Sequence, residues 1–376
     1  MYGAGLIEAL CREANLSAGT PLDFFGVGGA RMRAAGCGTV VDTKDLAVVG
    51  ITEVVRHLPR IYGCYRRLIA EADKRRPDLA IVIDSPSFNW RVARQMRKRG
   101  IPVVYYVCPQ FWAWRQGRVR LLRKHIDKAL VIFPFEEKFY RDRGVDATFI
   151  GHPLTSLPRP AVSRADYAAE HGLDPAKYWI TLMPGSRVTE VQKNLPGILA
   201  SVARLGPAYE YLMPVAPTLE RSFLESAIGA GSSIRLVPET LPALAHSRAG
   251  VIASGTATVE AAMMGTPFVM VYRVTPLTYW LGRPRVKVAH FAMVNLIAGK
   301  EVVPELVQHD FTVENVVSKL KQILPDGPAR EEMIRGLAGV RDALRAAGPD
   351  NLQPAERAAG IILQLLYGAV PTSQQP

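Results

Sequence analysis

Ile180-Thr181-Leu182-Met183-Pro184-Gly185-Ser186-Arg187 is an apolar run that breaks into a tight turn of small residues. About seventy residues later the pattern returns as Ala249-Gly250-Val251-Ile252-Ala253-Ser254-Gly255-Thr256-Ala257-Thr258-Val259-Glu260. Each stretch reads as a strand, a turn and then a helix. That arrangement aims free backbone N–H groups and the positive end of a helix at an anion. Arg187 adds a planar, permanently charged donor suited to phosphate oxygens. Glu260 lies about a turn and a half into the second helix, where a carboxylate can accept hydrogen bonds from a ribose diol. Together these features ask for a nucleotide diphosphate. The competing reading is two ordinary strand-to-helix turns with an incidental arginine.

Outward from this pair, short apolar runs alternate with amphipathic stretches along the whole chain. Strands are predicted at Leu22–Val27, Leu79–Ile83, Val103–Val107, Ala129–Phe133 and Ala147–Ile150, then at Trp179–Met183, Glu210–Pro214, Ile234–Val237, Gly250–Ala253 and Pro267–Tyr272. Helices are predicted over 60–75, 89–99, 116–125, 135–143, 189–205, 218–229, 241–246, 256–264 and 312–324. Such alternation indicates parallel sheets in doubly wound α/β units. The proline-rich segment Gly151–Pro160 reads as a linker between domains spanning 1–155 and 156–347. A helix near 348–370 is expected to pack back on the first domain, and the Gln/Pro/Ser tail from 371 to fray. Ligands of open α/β sheets bind beyond the carboxyl ends of strands, so two such domains facing each other would enclose a cleft.

A chain of 376 residues with 48% hydrophobic content is long enough for about two cored domains. It offers no run of 18 apolar residues to span a bilayer. Met1-Tyr2-Gly3-Ala4-Gly5 lacks the charged start and apolar core of a signal peptide. Cys11, Cys37, Cys64 and Cys108 have neither metal-ligand nor redox spacing, so free thiols in a reducing cytosol are expected. The net charge of +12 is uneven. Residues 1–160 carry 26 Lys and Arg against 15 Asp and Glu, whereas residues 161–376 carry 20 against 19. A basic amino-terminal half suits a nucleic acid, a phosphorylated substrate or an anionic membrane. Clusters such as Lys74-Arg75-Arg76 and Arg97-Lys98-Arg99 also occur simply as solvated helix ends.

Three further stretches carry chemistry. Asp84 follows the apolar strand ending at Ile83, which puts a carboxylate at a cleft edge. Partial burial there would lift its pKa and suit a general base; the alternative is a cap for the helix near Asn89. Trp112-Ala113-Trp114-Arg115 also follows a strand and reads either as a sugar or phosphate platform or as a packed aromatic corner. Residues 45–68 mix apolar side chains, among them Leu46, Val48, Val49, Ile51 and Val54, with a basic continuation. That mixture suits a surface lying on lipid, or a buried helical hairpin. No zinc cluster, Walker lysine motif or nucleophile elbow occurs. Phe25-Gly26-Val27-Gly28-Gly29-Ala30 is not a dinucleotide fingerprint, which disfavours hydride chemistry with NAD.

Taken in order, these motifs resemble those of the lipid-A-disaccharide synthase family from about Gly3 to about Leu344. The resemblance is carried by Gly3–Ile7; Gly26–Gly29 with Arg31-Met32; Leu46–Val48 with Gly50-Ile51 and Glu53-Val54; and Ile83-Asp84 with Pro86 and Phe88-Asn89. It continues through Trp112–Arg115, Pro134–Glu136, Phe149–His152, Pro184–Arg187, Ser254–Ala257 with Glu260, and Asn295–Gly299 with Glu301–Glu305. It implies a GT-B fold, with two Rossmann-like domains and the active site between them. It implies UDP-2,3-diacylglucosamine as donor and 2,3-diacylglucosamine 1-phosphate (lipid X) as acceptor, joined with inversion and without a bound metal or other cofactor. By the same resemblance Asp84 is the catalytic base. Gly185, Ser186, Arg187, Ser254, Gly255, Thr256, Ala257, Glu260 and Asn295 contact the donor, and Trp114 and Arg115 the acceptor. The 45–68 stretch admits acyl chains. The implied location is cytoplasmic, peripheral on the anionic inner face of the inner membrane, with no nucleic-acid partner; a homodimer is compatible with this reading.

Members of the family begin with an apolar strand and a Gly-Glu-x-Ser-Gly-Asp loop before the helix matching Gly3–Leu10. The first strand of the amino-terminal domain is therefore expected to be missing from this chain. The alternatives are another GT-B UDP-sugar enzyme, namely the peptidoglycan GlcNAc transferase or a UDP-GlcNAc epimerase, and an inactive UDP-sugar-binding truncation. The Trp112–Arg115 and Asn295–Gly299 segments argue against the peptidoglycan enzyme.

Overall fold

Apolar runs of four to six residues become strands of parallel sheets, which helices cover so that the strands are buried. Val103–Tyr106 and Ala249–Ala253 are buried at every position. The structure is a computed structural model. It describes residues 2–17, 21–46, 51–275, 280, 288–346 and 352–368, with the side chains of residues 17 and 51–58 outside the description. The expected frayed tail lies outside the described residues. The chain divides into two compact units, Met1–Pro153 with Arg345–Pro376, and Leu154–Leu344. The boundary falls within the expected linker, where Pro153–Ser156 form a short 3-10 turn.

The first unit contains α1 (Tyr2–Ser17), β1 (Phe24–Gly28), α2 (Ala30–Ala34), β2 (Cys37–Asp42), α3 (Ile51–Arg75), β3 (Ala80–Ile83), α4 (Pro86–Lys98), β4 (Val103–Tyr106), α5 (Val119–His125), β5 (Lys128–Val131), α6 (Pro134–Arg141) and β6 (Ala147–Phe149). The opening helix buries Leu6, Ile7, Leu10 and Ala14, an apolar stripe at helical spacing. The helix predicted over 60–75 is longer than expected. It starts at Ile51, runs through Pro59, and buries Cys64, Leu68 and Ala72 one turn apart. Strand β2 was not anticipated, because Gly38 and Thr39 interrupt its apolar pattern. Strands β3 to β6 form a parallel sheet in sequential order, while β1 pairs only with β2. Among the described residues these two sheets share no ladder. Both nevertheless face one core, in which Phe25 and Val27 pack with Val82, Val92, Tyr105 and Val131.

The second unit contains α7 (Arg164–His171), β7 (Tyr178–Met183), α8 (Val188–Leu205), β8 (Tyr209–Pro214), α9 (Arg221–Ile228), β9 (Ile234–Val237), α10 (Thr240–His246), β10 (Ala249–Ala253), α11 (Thr256–Met264), β11 (Phe268–Tyr272), α12 (Met293–Ala298), β12 (Glu305–Val307), α13 (Val313–Ile323) and α14 (Pro328–Ala343). The chain then returns to the first unit as α15 (Pro354–Tyr367), which packs along α1 and pairs Glu356 with Arg12 at 2.7 Å. The six strands of the second unit are parallel, in the order β9-β8-β7-β10-β11-β12. The chain grows outward from β7 to β9, crosses back, and grows the other way from β10. Its direction therefore reverses between β7 and β10, the switch point at which open α/β sheets bind ligands. Ala249 pairs with Ile180 and Ile252 with Met183, so the two strands end level and their following turns lie side by side.

Candidate active site

The turn after β10 is an open cradle. Gly255 caps α11 with φ +141, a conformation that side chains rarely adopt. The N–H groups of Thr256 and Ala257 have no acceptor among the described residues, as expected for the first turn of a helix. The Ser254 hydroxyl is turned away and donates to the Phe291 carbonyl at 2.8 Å, so Ser254 offers a ligand its backbone rather than its side chain. Glu260 is half-buried one turn further along, with no hydrogen-bond partner among the described residues. Burial raises its pKa above the ordinary value.

The turn after β7 is built differently. Gly185 has φ +135, and a side chain there would meet Glu190 Cβ at 2.5 Å. Glu190 folds back across the turn from the first turn of α8. Its carboxylate accepts the Ser186 N–H at 2.9 Å and the Arg187 guanidinium at 2.5 Å. Thr218, from the loop after β8, donates to the Ser186 carbonyl at 2.5 Å. Buried Asn194 on α8 joins the ends of two strands, donating to Pro184 O at 2.8 Å and accepting from Arg273 N at 2.9 Å. Glu190 and Asn194 were missed in the sequence. Their only signal is a spacing of one and two helical turns from Arg187, on the face that looks back at the turn.

Asn295 is fully buried and all of its amide is in use. Its carbonyl accepts Val302 N and Val303 N, and its NH2 donates to Val303 O and to Glu305 at 2.8 Å. Glu305 also accepts Phe291 N and Ala292 N. Asn295, expected to contact the donor, thus has its amide bonded within the chain. Through these bonds Asn295 fastens the 291–305 segment, whose Phe291 carbonyl holds Ser254.

In the first unit, Asp84 stands at the carboxyl end of β3 as expected, but its side chain is exposed rather than partly buried. It does not cap α4 either: that helix begins at Pro86 behind Ser85, which makes no side-chain cap bond. The backbone is the unusual feature. Asp84 (φ +45) and Ser85 (φ +42) are both left-handed, at about 1–2 kcal/mol per residue. The Tyr105 hydroxyl and the Asn89 amide, both donating to Asp84 O at 2.6 Å, hold that carbonyl in place. Strain of this kind clusters at functional sites.

The Trp112–Arg115 segment divides its roles. Trp112 is the packed corner: it lies edge-on to Phe133 and Phe135, and its indole N–H donates to Glu136 at 2.7 Å. Trp114 is 45% exposed with the Arg115 guanidinium 4.1 Å above its ring, a flat cationic surface open to a ligand. Glu136, named in the sequence only as part of the Pro134–Glu136 motif, is completely buried and also accepts Ile132 N and Phe133 N. Burial pushes its pKa up to about 7 against these hydrogen bonds. His152 packs on Phe133, and burial holds it near 4, so it is neutral at physiological pH. Of the residues expected to meet acyl chains, Val48 and Val49 lie outside the described residues. Ile51 and Val54 are on α3 with side chains outside the description, and Leu46 follows a short 3-10 turn, half-buried.

Two α/β units with parallel sheets, one with two glycine turns side by side at its switch point, define a class of fold. The chain is similar over 96% of its length to the glycosyltransferase of kitacinnamycin, at 17% identity and a TM-score of 0.63 over 94% of that chain. It is similar to the UDP-GlcNAc 2-epimerase of Neisseria meningitidis at 13% identity and a TM-score of 0.60, over 96% of each chain. These likenesses show the GT-B fold and leave the chemistry open. Sequence decides the rest. The lipid-A-disaccharide synthetase profile matches residues 1–345. The lipid-A-disaccharide synthase of Koribacter versatilis is 50% identical over 97% of this chain and 95% of its own length, and that of Acidobacterium capsulatum 47% over 96% and 93%. The chain belongs to the lipid-A-disaccharide synthase family.

The buried Glu136 makes a testable contribution to stability. As far as this group is concerned, the native state is favoured below about 4.5 and loses that advantage as the pH rises through about 7. Glu136→Gln should flatten that part of the profile in denaturant titrations between pH 4.5 and 7.5. It should also cost about 1–3 kcal/mol at pH 7, because an amide NH2 then faces a donor. An unaltered pH slope would show that Glu136 does not titrate in this range.

Proposed function

We propose that this glycosyltransferase joins UDP-2,3-diacylglucosamine to 2,3-diacylglucosamine 1-phosphate, giving the lipid A disaccharide 1-phosphate and UDP. The observation that carries the reading is the level ending of β7 and β10, which sets the Gly185–Arg187 and Ser254–Ala257 turns side by side at the switch point. Two helix starts and one guanidinium converging there match the charge of a nucleotide diphosphate. Half-buried Glu260, without a hydrogen-bond partner among the described residues, suits the ribose diol. As the glycosidic bond to the diphosphate breaks, negative charge grows on the leaving oxygen, and these fixed donors stabilise it without reorganising. Asn295, Glu305 and Asn194 hold the segments that bear the donors.

The acceptor belongs to the first unit. Asp84, exposed on a strained strand end, takes the proton from the acceptor's 6-hydroxyl as that oxygen attacks the anomeric carbon. Trp114 with Arg115 offers a face for the sugar and a charge for its phosphate. Both substrates are anionic lipids, which brings the protein to an anionic membrane surface as a peripheral protein. No described helix is long and apolar enough to cross a membrane. The basic side of the first unit supports the surface reading. Arg94, Arg120, Arg123 and Lys124 gather with Trp90 around an open recess of about 630 Å³. His125 beside them has its pKa lowered by burial and then by Lys124, Arg94 and Arg97.

Three measurements test this reading. Arg187→Ala should weaken UDP by about 1.5–3 kcal/mol in calorimetry, the range for a charge-assisted hydrogen bond; unchanged affinity would remove Arg187 from the donor site. Asp84→Asn should keep UDP affinity and lower kcat by about 10²–10⁴ in the coupling assay with matched donor and lipid X; near-full turnover would place the base elsewhere. The protein should also sediment with anionic vesicles and be partly released by salt, since surface attraction is screened. Equal binding to neutral vesicles would refute the electrostatic part.

A further inference from the structure

The two turns at the switch point are not in the same state. In the turn after β10, the N–H groups of Thr256 and Ala257 face outward without an acceptor among the described residues. In the turn after β7, a carboxylate already sits where an anion would. Glu190 takes the Ser186 N–H with one oxygen and the Arg187 guanidinium with the other. Gly185, which must be glycine both for its φ of +135 and for the Glu190 side chain pressed against it, leaves room for that carboxylate. Arg187 is 75% exposed at its side chain, whereas Glu190 is 26% exposed. The pair is therefore open to solvent on the arginine side, where a phosphate can compete for it.

We propose that Glu190 is a resident counter-ion of the 185–187 turn, which the donor's diphosphate displaces in order to take over Ser186 N–H and Arg187. This rests on the reading of that turn as a diphosphate seat. Before donor arrives, the internal carboxylate satisfies the turn and holds it in the liganded shape, so little backbone rearrangement accompanies binding. It also makes the seat selective. A singly charged or weakly chelating anion must compete with a tethered carboxylate at close range and gains little. A diphosphate anchored in addition by the 254–257 turn brings enough charge and enough contacts to win the exchange. When UDP leaves, Glu190 returns and shortens the time for which product occupies the seat. Glu190 is thus a positioning and specificity residue that acts through Arg187 rather than on the reacting atoms.

The test is calorimetry on the full chain with UDP and with inorganic phosphate. Glu190→Gln keeps an acceptor for Ser186 N–H and removes the competing charge. It should tighten UDP by about tenfold, the order of a unit-charge repulsion a few ångströms from a diphosphate in a partly solvated site. Inorganic phosphate should gain by at least as large a factor. Glu190→Asp, whose shorter side chain cannot span both partners, should tighten UDP as well and serves as the second variant if the amide does not fold. In an Arg187→Ala background the Glu190→Gln gain should shrink below about twofold, because the two residues are coupled. If Arg187→Ala weakens UDP while the Glu190 variants bind it equally or more weakly, Glu190 is only a helix-start brace and the inference falls. If Arg187→Ala changes nothing, the seat itself is misassigned and the inference falls with it.

Discussion

The parallel pairing of β7 with β10 is the constraint on which the rest of the second unit depends. Parallel strands cannot be joined by a tight hairpin, so each is followed by a turn and a helix that start from the same edge of the sheet. Where the strand order reverses, the helices after neighbouring strands depart in opposite directions and leave the strand ends uncovered. The register from Ala249–Ile180 to Ile252–Met183 makes those ends level. Everything proposed for the donor follows from this: two glycine turns with positive φ and two helix starts side by side, one with open N–H groups and one whose donors Glu190 holds.

Around that pairing the protein uses buried amides and carboxylates as fasteners rather than as reagents. Asn194 ties the end of β7 to the start of the segment beyond β11. Asn295 and Glu305 fold the 291–305 segment, and its Phe291 carbonyl holds the Ser254 hydroxyl. In the first unit Glu136 holds Trp112, which leaves Trp114 and Arg115 at the surface. A buried polar group left unpaired costs about 1–3 kcal/mol, so each network is both rigid and sensitive to single substitutions. Of the exposed residues proposed to meet substrate, Asp84, Trp114 and Arg115 are supported by one of these buried neighbours or by a strained backbone, and Arg187 is held by Glu190.

Two classes of enzyme that share this fold show why architecture alone does not give chemistry. A glycosyltransferase and an epimerase both match nearly the whole chain, at TM-scores of 0.63 and 0.60. What decides the family here is the sequence along nearly the whole chain, which the lipid-A-disaccharide synthase relationship covers.

The sequence by itself determined the class of fold, the family, and the location of most strands. Continuous apolar runs such as Val103–Tyr106 and Ala249–Ala253 can be stable only when covered on both sides. It did not disclose β2 or β12, whose three to six residues are interrupted by Gly38 and Thr39 or too short to form a pattern. At the site, the glycine turns and Arg187 were legible because turn chemistry and charge are local properties. The states of the side chains were not. That Asn295 is saturated, that Asp84 is exposed on a left-handed backbone, that Trp112 is buried while Trp114 is exposed, and that Glu190 fills one glycine turn while the other stands open were all decided by tertiary structure. Each depends on which distant groups folding brings within hydrogen-bond reach, and residue type and spacing do not encode that directly.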